Sequence, residues 1–109
     1  ILKNGHFDLD LAEVTRIYNN GSVIESRLIG WLQNAYKQEG EDLSAISGEV
    51  SHSGEGLWTV EEARERYIQT PVIEASLQFR IDSQGKPSYA GQVVSALRNQ
   101  FGGHSVKKS

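Results

Sequence analysis

The 109 residues carry 11 basic and 14 acidic side chains, a net charge of −3 with the signs interspersed, and no cysteine. This composition excludes a disulfide framework, a thiolate metal site and the clustered Lys/Arg of a nucleic-acid footprint, for which Lys107-Lys108 is too short. Apolar runs are only a few residues long, so neither a membrane span nor a signal peptide is expected, and the length suits one domain with its own core. A chain without cysteine suits a reducing compartment, and a cytoplasmic location is the expectation.

Ile1 to His6 reads as the end of a helix whose beginning is missing. Asp10 then caps a helix, with Glu13 as reciprocal partner and Leu11, Val14, Ile17 and Tyr18 as its buried stripe; Asn19-Asn20-Gly21 ends it. Ser22 and Glu25 form a second capping box. Behind it Ile24, Leu28, Trp31, Leu32, Ala35 and Tyr36 keep helical spacing, with Trp31 as core anchor. A polar connection follows, with a short helical turn around Leu43 to Ile46.

Gly48 to Gly56 is the one long irregular stretch, and it reads most simply as a linker. A second reading brings backbone N–H groups near Ser51 and Ser53 to an oxyanion. The stretch lacks the lysine-serine ending of a nucleotide phosphate loop. Thr59 and Glu62 form a third capping box, with Trp58 as hydrophobic staple, and predict a helix to about Ile68.

Ile73, Ala75, Leu77, Phe79 and Ile81 alternate with polar residues, which is a strand period. Against it stand Thr70-Pro71 as a helix start, a helix-forming composition, and the absence of any partner strand for its backbone. A helix is therefore predicted. Ser88 caps the last one, with Tyr89, Val93, Ala96, Leu97 and Phe101 on its inner face. The fold class expected is all-α: about five helices with an extended C-terminal tail.

The three histidines, His6, His52 and His104, lie far apart in loops or tail. There is no nucleophile elbow, no pair of metal histidines and no dinucleotide fingerprint. Arg80 and Arg98 are the side chains to weigh for an anion, because planar guanidinium forks match phosphate oxygens. Arg98 stands before Gly102-Gly103, which let the chain leave the helix axis and bring His104 round to the same anion. The plainer reading is an amphipathic face for Arg80 and an ordinary helix stop for Arg98. The tail beyond Phe101 holds one apolar residue, Val106, and so has little reason to pack on its own core.

Arg98-Asn99-Gln100-Phe101-Gly102-Gly103-His104 resembles the C-terminal signature of the decarboxylating 6-phosphogluconate dehydrogenases. The similarity extends through Asp8-Leu9-Asp10-Leu11, Gly21-Ser22-Val23-Ile24, Gly54-Glu55-Gly56-Leu57-Trp58-Thr59 and the run Pro71 to Arg80, and is greatest to the shorter-chain branch. The resemblance implies that residues 1–109 form the C-terminal helical domain of a larger homodimeric enzyme, with the Rossmann domain upstream. It implies oxidative decarboxylation of 6-phosphogluconate to ribulose 5-phosphate with NADP or NAD. The residue matching Arg80 binds the substrate phosphate, and those matching Arg98 and His104 reach into the partner's active site. Ser53 is a weaker candidate on the loop bordering that phosphate. The longer-chain pattern has lysine at Ser53 and threonine at Glu55; Ser53 still donates a hydrogen bond, whereas Glu55 repels a phosphate unless it points away.

The nucleotide-binding glycines and the acid-base lysine and glutamate of that family fall upstream of Ile1, so these residues alone are expected to be inactive. No catalytic, cofactor-binding or metal-binding residue is expected among them. Two other identities compete: a non-catalytic helical dimerisation module, and the equivalent domain of a related 3-hydroxyacid dehydrogenase, against which the Arg98 to His104 signature argues.

Overall fold

The computed structural model describes residues 1–105, 107 and 108; Val106 lies outside them. A 3-10 turn at Leu2–Asn4 precedes five α-helices: α1 (Leu11–Tyr18), α2 (Arg27–Glu39), α3 (Glu55–Glu65), α4 (Pro71–Ser83) and α5 (Tyr89–Gly102). The all-α expectation holds. Among the described residues there is no strand, only an isolated antiparallel bridge between Ile46 and Lys108.

Three helix starts follow their local chemistry. The Asp10 carboxylate accepts the Glu13 N–H at 2.9 Å, and the Ser88 hydroxyl accepts that of Gly91 at 3.1 Å. Pro71 opens α4 at the first helical position, where a missing N–H costs nothing. The alternating segment is a helix, and the Glu74 N–H closes its first turn on the Thr70 carbonyl at 2.9 Å. Wound at helical pitch, the alternation spreads apolar groups around the cylinder. Val72, Phe79 and Ile81 are therefore exposed, and Ser83 is the only buried residue of α4.

Two predicted caps are corrected. Ser26, not Ser22, caps α2, accepting the Ile29 N–H at 3.2 Å. Glu25 instead accepts the Gly21 N–H at 2.7 Å, and Ser22 donates to the Tyr18 carbonyl, so both side chains serve the turn before the helix. Likewise α3 starts at Glu55, a turn ahead of the Thr59–Glu62 box. Gly54 sits at φ 110° before it, Trp58 closes the first turn on the Gly54 carbonyl at 3.0 Å, and the Thr59 hydroxyl donates back to Glu55. A glycine that can enter the helix from a left-handed conformation outweighs a side-chain cap. The helix stops at Glu65 because Tyr67 takes a positive φ of 56°, short of the predicted Ile68. In α1, Glu13 turns to Arg16 instead of reciprocating the cap.

α1, α2 and α5 pack together, and α3 pairs with α4. The core joins Leu11, Ala35, Tyr36 and Ala96 to Leu43 and Ile46 of the connection after α2. Of the expected stripe residues, Ile17, Tyr18, Ile24, Leu28 and Phe101 remain exposed. Trp31 is half-buried and stacks on Phe101, ring centroids 5.6 Å apart, tying α2 to the end of α5.

Gly48 to Gly56 is not the linker expected: its first residues, like the connection from residue 40 that leads into it, are anchored on the helices. Leu43 and Val50 are fully buried, and side chains of the helices bind its peptide groups. Gln92 donates to the carbonyls of Leu43 at 2.9 Å and Ile46 at 3.0 Å; Tyr89 reaches Glu41 and Ser95 reaches Glu49. In place of the expected helical turn at Leu43 to Ile46 there are consecutive tight turns, Leu43 at φ 48°. Gly48 and Gly91 bring loop and α5 backbones together: a Cβ on Gly91 would lie 1.9 Å from the Gly48 carbonyl oxygen. The tail packs on the same loop, Ser47 donating to the Lys107 carbonyl at 2.8 Å and Lys107 pairing with Glu49. Backbone pairing and a charge do there what the tail's apolar content does not.

Candidate functional site

The site is built on the end of that loop. The Val50 N–H, fully buried, donates to the Ser83 hydroxyl of α4 at 2.8 Å, and Gln84 donates to the Val50 carbonyl at 3.0 Å. These bonds fix the next residue, Ser51, between α4 and α5. There Arg80 donates from Nη1 to the Ser51 carbonyl at 3.1 Å, and Arg98 from Nη1 to the Ser51 hydroxyl at 3.0 Å. Two guanidinium groups from different helices thus meet on one serine. Neither forms an ion pair with a carboxylate among the described residues. Partial burial, with the Arg98 charge second, pulls the Arg80 guanidinium below its ordinary value, and it stays protonated.

His104 is turned onto the same site by the end of α5. Gly102 remains helical; Gly103 takes the positive φ, 60°, and its N–H caps the helix on the Asn99 carbonyl at 3.0 Å. The Asn99 amide donates to the His104 carbonyl at 3.0 Å, and the Phe101 ring meets the imidazole edge-on at 6.2 Å. Gly102 has the other role of the pair, since a Cβ there would come within 2.5 Å of the imidazole.

Arg80, Arg98, His104 and Ser53 all line one open groove of about 770 Å³, walled by apolar side chains of α4 and α5 such as Ile73, Leu77, Val94 and Leu97. His52 and Glu55 line it too. Ser53 donates to Glu55, and this bond, then the Glu55 backbone N–H and the charges of Arg98 and His104, hold the carboxyl below its usual range. Glu55 is therefore ionised and borders the groove. His6 lies outside it.

Ser51 is the contributor that sequence reading placed in another role: it offers oxygens to the arginines instead of backbone N–H groups to an anion. Local pattern carried no signal for this, because Arg80 and Arg98 reach it from distant positions in the chain. His52 was visible only as a loop histidine. Among the described residues no group of three or more His, Asp or Glu side chains is placed to hold a metal ion, and no helix is long and apolar enough to cross a membrane.

The pattern of the family described as "6-phosphogluconate dehydrogenase, C-terminal domain" matches residues 1–109. The chain belongs to this family. It is 44% identical over 108 residues to "Putative 6-phosphogluconate dehydrogenase YqeC" of Bacillus subtilis (strain 168), covering 99% of this chain and 36% of that protein. It is 36% identical over 108 residues to the Haloferax volcanii protein named "6-phosphogluconate dehydrogenase, NAD(+)-dependent, decarboxylating", again covering 99% of this chain and 36% of the relative. A chloroplastic decarboxylating relative from Oryza sativa subsp. japonica is 27% identical over 108 residues, covering 94% of this chain and 21% of its own length. The chain thus spans little more than a third of the first two relatives.

A nicotinamide dinucleotide is ordinarily held on a glycine-rich turn between a strand and a helix. The sequence carries no such fingerprint, and the described residues form no strand.

Proposed function

We propose that this chain supplies the substrate-phosphate contacts and the dimer interface of an enzyme that oxidatively decarboxylates 6-phosphogluconate to ribulose 5-phosphate with NAD or NADP. One observation carries the reading: Arg80 of α4 and Arg98 of α5 converge on Ser51 at the edge of one groove, free of carboxylate ion pairs among the described residues. Each guanidinium spends one bond on Ser51 and has further N–H donors for phosphate oxygens. The family match and the relatives' names support the choice of substrate.

Within that reaction Arg80 and Arg98 bind and orient the phosphate end, and His104, held by Gly103 and Phe101, closes the groove beside them. The apolar wall excludes water from one side. Hydride transfer and proton transfer belong to residues outside this sequence. Dimerisation is supported by the apolar groups α4 leaves exposed, Val72, Phe79 and Ile81, together with Trp58 of α3.

The test is Arg98→Ala in the full-length enzyme. Losing a charged hydrogen-bonding partner of a phosphate costs about 2–4 kcal/mol, so KM for 6-phosphogluconate should rise roughly 30-fold or more. Cofactor affinity should stay nearly constant. An unchanged KM would remove Arg98 from the phosphate site.

A further inference from the structure

Among the described residues that line the groove, Glu55 is the one carboxylate and the one that opposes an anion. It stands at the first position of α3, lines the same groove as Arg80, Arg98, His52 and His104, and is held there by the Ser53 hydroxyl. A groove built only to collect phosphate would gain from a neutral residue at this position, since a carboxylate beside the cradle subtracts from the field of two guanidinium groups. The same carboxylate accepts hydrogen bonds strongly, and any hydroxyl beside a bound phosphate can donate to it. It thus penalises one class of ligand and favours another. A bare dianion with no proton to donate, such as sulfate, meets only the repulsion. A phosphate ester carrying hydroxyl groups meets the repulsion and recovers it through charged hydrogen bonds.

We propose that Glu55, held at the groove by Ser53, is a specificity-determining residue that selects a phosphorylated polyol over a bare inorganic dianion that carries no hydroxyl. This inference rests on the anion-binding reading of Arg80 and Arg98 given above. It concerns discrimination between ligands and leaves the order of chemical steps untouched.

The experiment measures dissociation constants of the full-length protein for sulfate, a dianion with no proton to donate, and for sorbitol 6-phosphate, a dianionic polyol phosphate, at pH 8 and low salt. In Glu55→Gln, removing one negative charge near a dianion should tighten sulfate about tenfold. Sorbitol 6-phosphate should change by less than about threefold, because the lost repulsion and the lost charged hydrogen bond offset one another. The preference for the polyol phosphate therefore narrows, and raising the salt concentration diminishes the gain for sulfate. Ser53→Ala, which frees the carboxylate to swing into solvent, should move the ratio in the same direction by a smaller factor. An unchanged ratio in both variants overturns the role of Glu55. Arg98→Ala separates this from failure of the underlying reading: if it weakens neither ligand, the groove is not an anion site and both conclusions fall. If it weakens both ligands while the Glu55→Gln ratio stays fixed, only the selectivity inference fails.

Discussion

Replacing Ser83 with alanine tests whether the site is held by one buried hydrogen bond. Ser83 is 2% exposed and Val50 fully buried, and the Val50 N–H donates to the Ser83 hydroxyl at 2.8 Å. Alanine removes the acceptor and admits no water, so the amide is stranded. A neutral hydrogen bond contributes about 1 kcal/mol, and a stranded buried donor costs about 1–3 kcal/mol, so a loss of about 2 kcal/mol is expected. At about 1.4 kcal/mol per decade, this lowers protection of the Val50 amide against hydrogen exchange roughly 30-fold. Ser95→Ala is the control. It removes a donor to the Glu49 carbonyl at 3.2 Å, and an under-satisfied carbonyl is better tolerated than an orphaned N–H. Because Ser51 follows Val50 directly, phosphate affinity should weaken in Ser83→Ala. A change in Val50 protection of less than about threefold, in a protein that keeps its helical signal, would refute the reasoning by showing that the amide has another acceptor.

Gly91→Ala places a Cβ 1.9 Å from the Gly48 carbonyl oxygen, a clash with backbone that no rotamer relieves, and should cost about 3 kcal/mol or more by denaturant titration. Acid should destabilise the fold through Asp10, Glu13 and Glu55, depressed mainly by the Glu13 N–H, Arg16 and Ser53 respectively. Their contribution is full above the ordinary carboxylate values of 3.8 and 4.5 and is lost as pH falls through the depressed ones, so the Tm of Asp10→Asn should depend less on pH in that window. If α5 and its tail serve the partner subunit, mixing Arg80→Ala with Arg98→Ala subunits yields heterodimers with one intact site, each about half as active as wild type. No recovery despite proven subunit exchange means that each groove uses its own arginines, as their meeting on Ser51 within one chain allows.

What the sequence determined by itself was the class of each element where the signal is local. Asp10, Ser88 and Pro71 start helices because a cap or an N1 proline acts within a single turn. The segment from Pro71 to Ser83 is a helix despite its strand period: proline starts it, and the described residues hold no strand to pair with it. The signature from Arg98 to His104 carried the family. Tertiary structure decided the rest. Ser22 and Thr59 matched capping boxes, yet Ser26 and Gly54 begin those helices, since the turns before them bond differently once neighbouring groups are in place. The stretch before α3 had linker composition, but Gln92, Ser83, Gln84 and the contact of Gly48 with Gly91 anchor it. Burial and the meeting of Arg80 with Arg98 depend on residues far apart in the chain, and only packing α4 and α5 around the same loop brings them to Ser51.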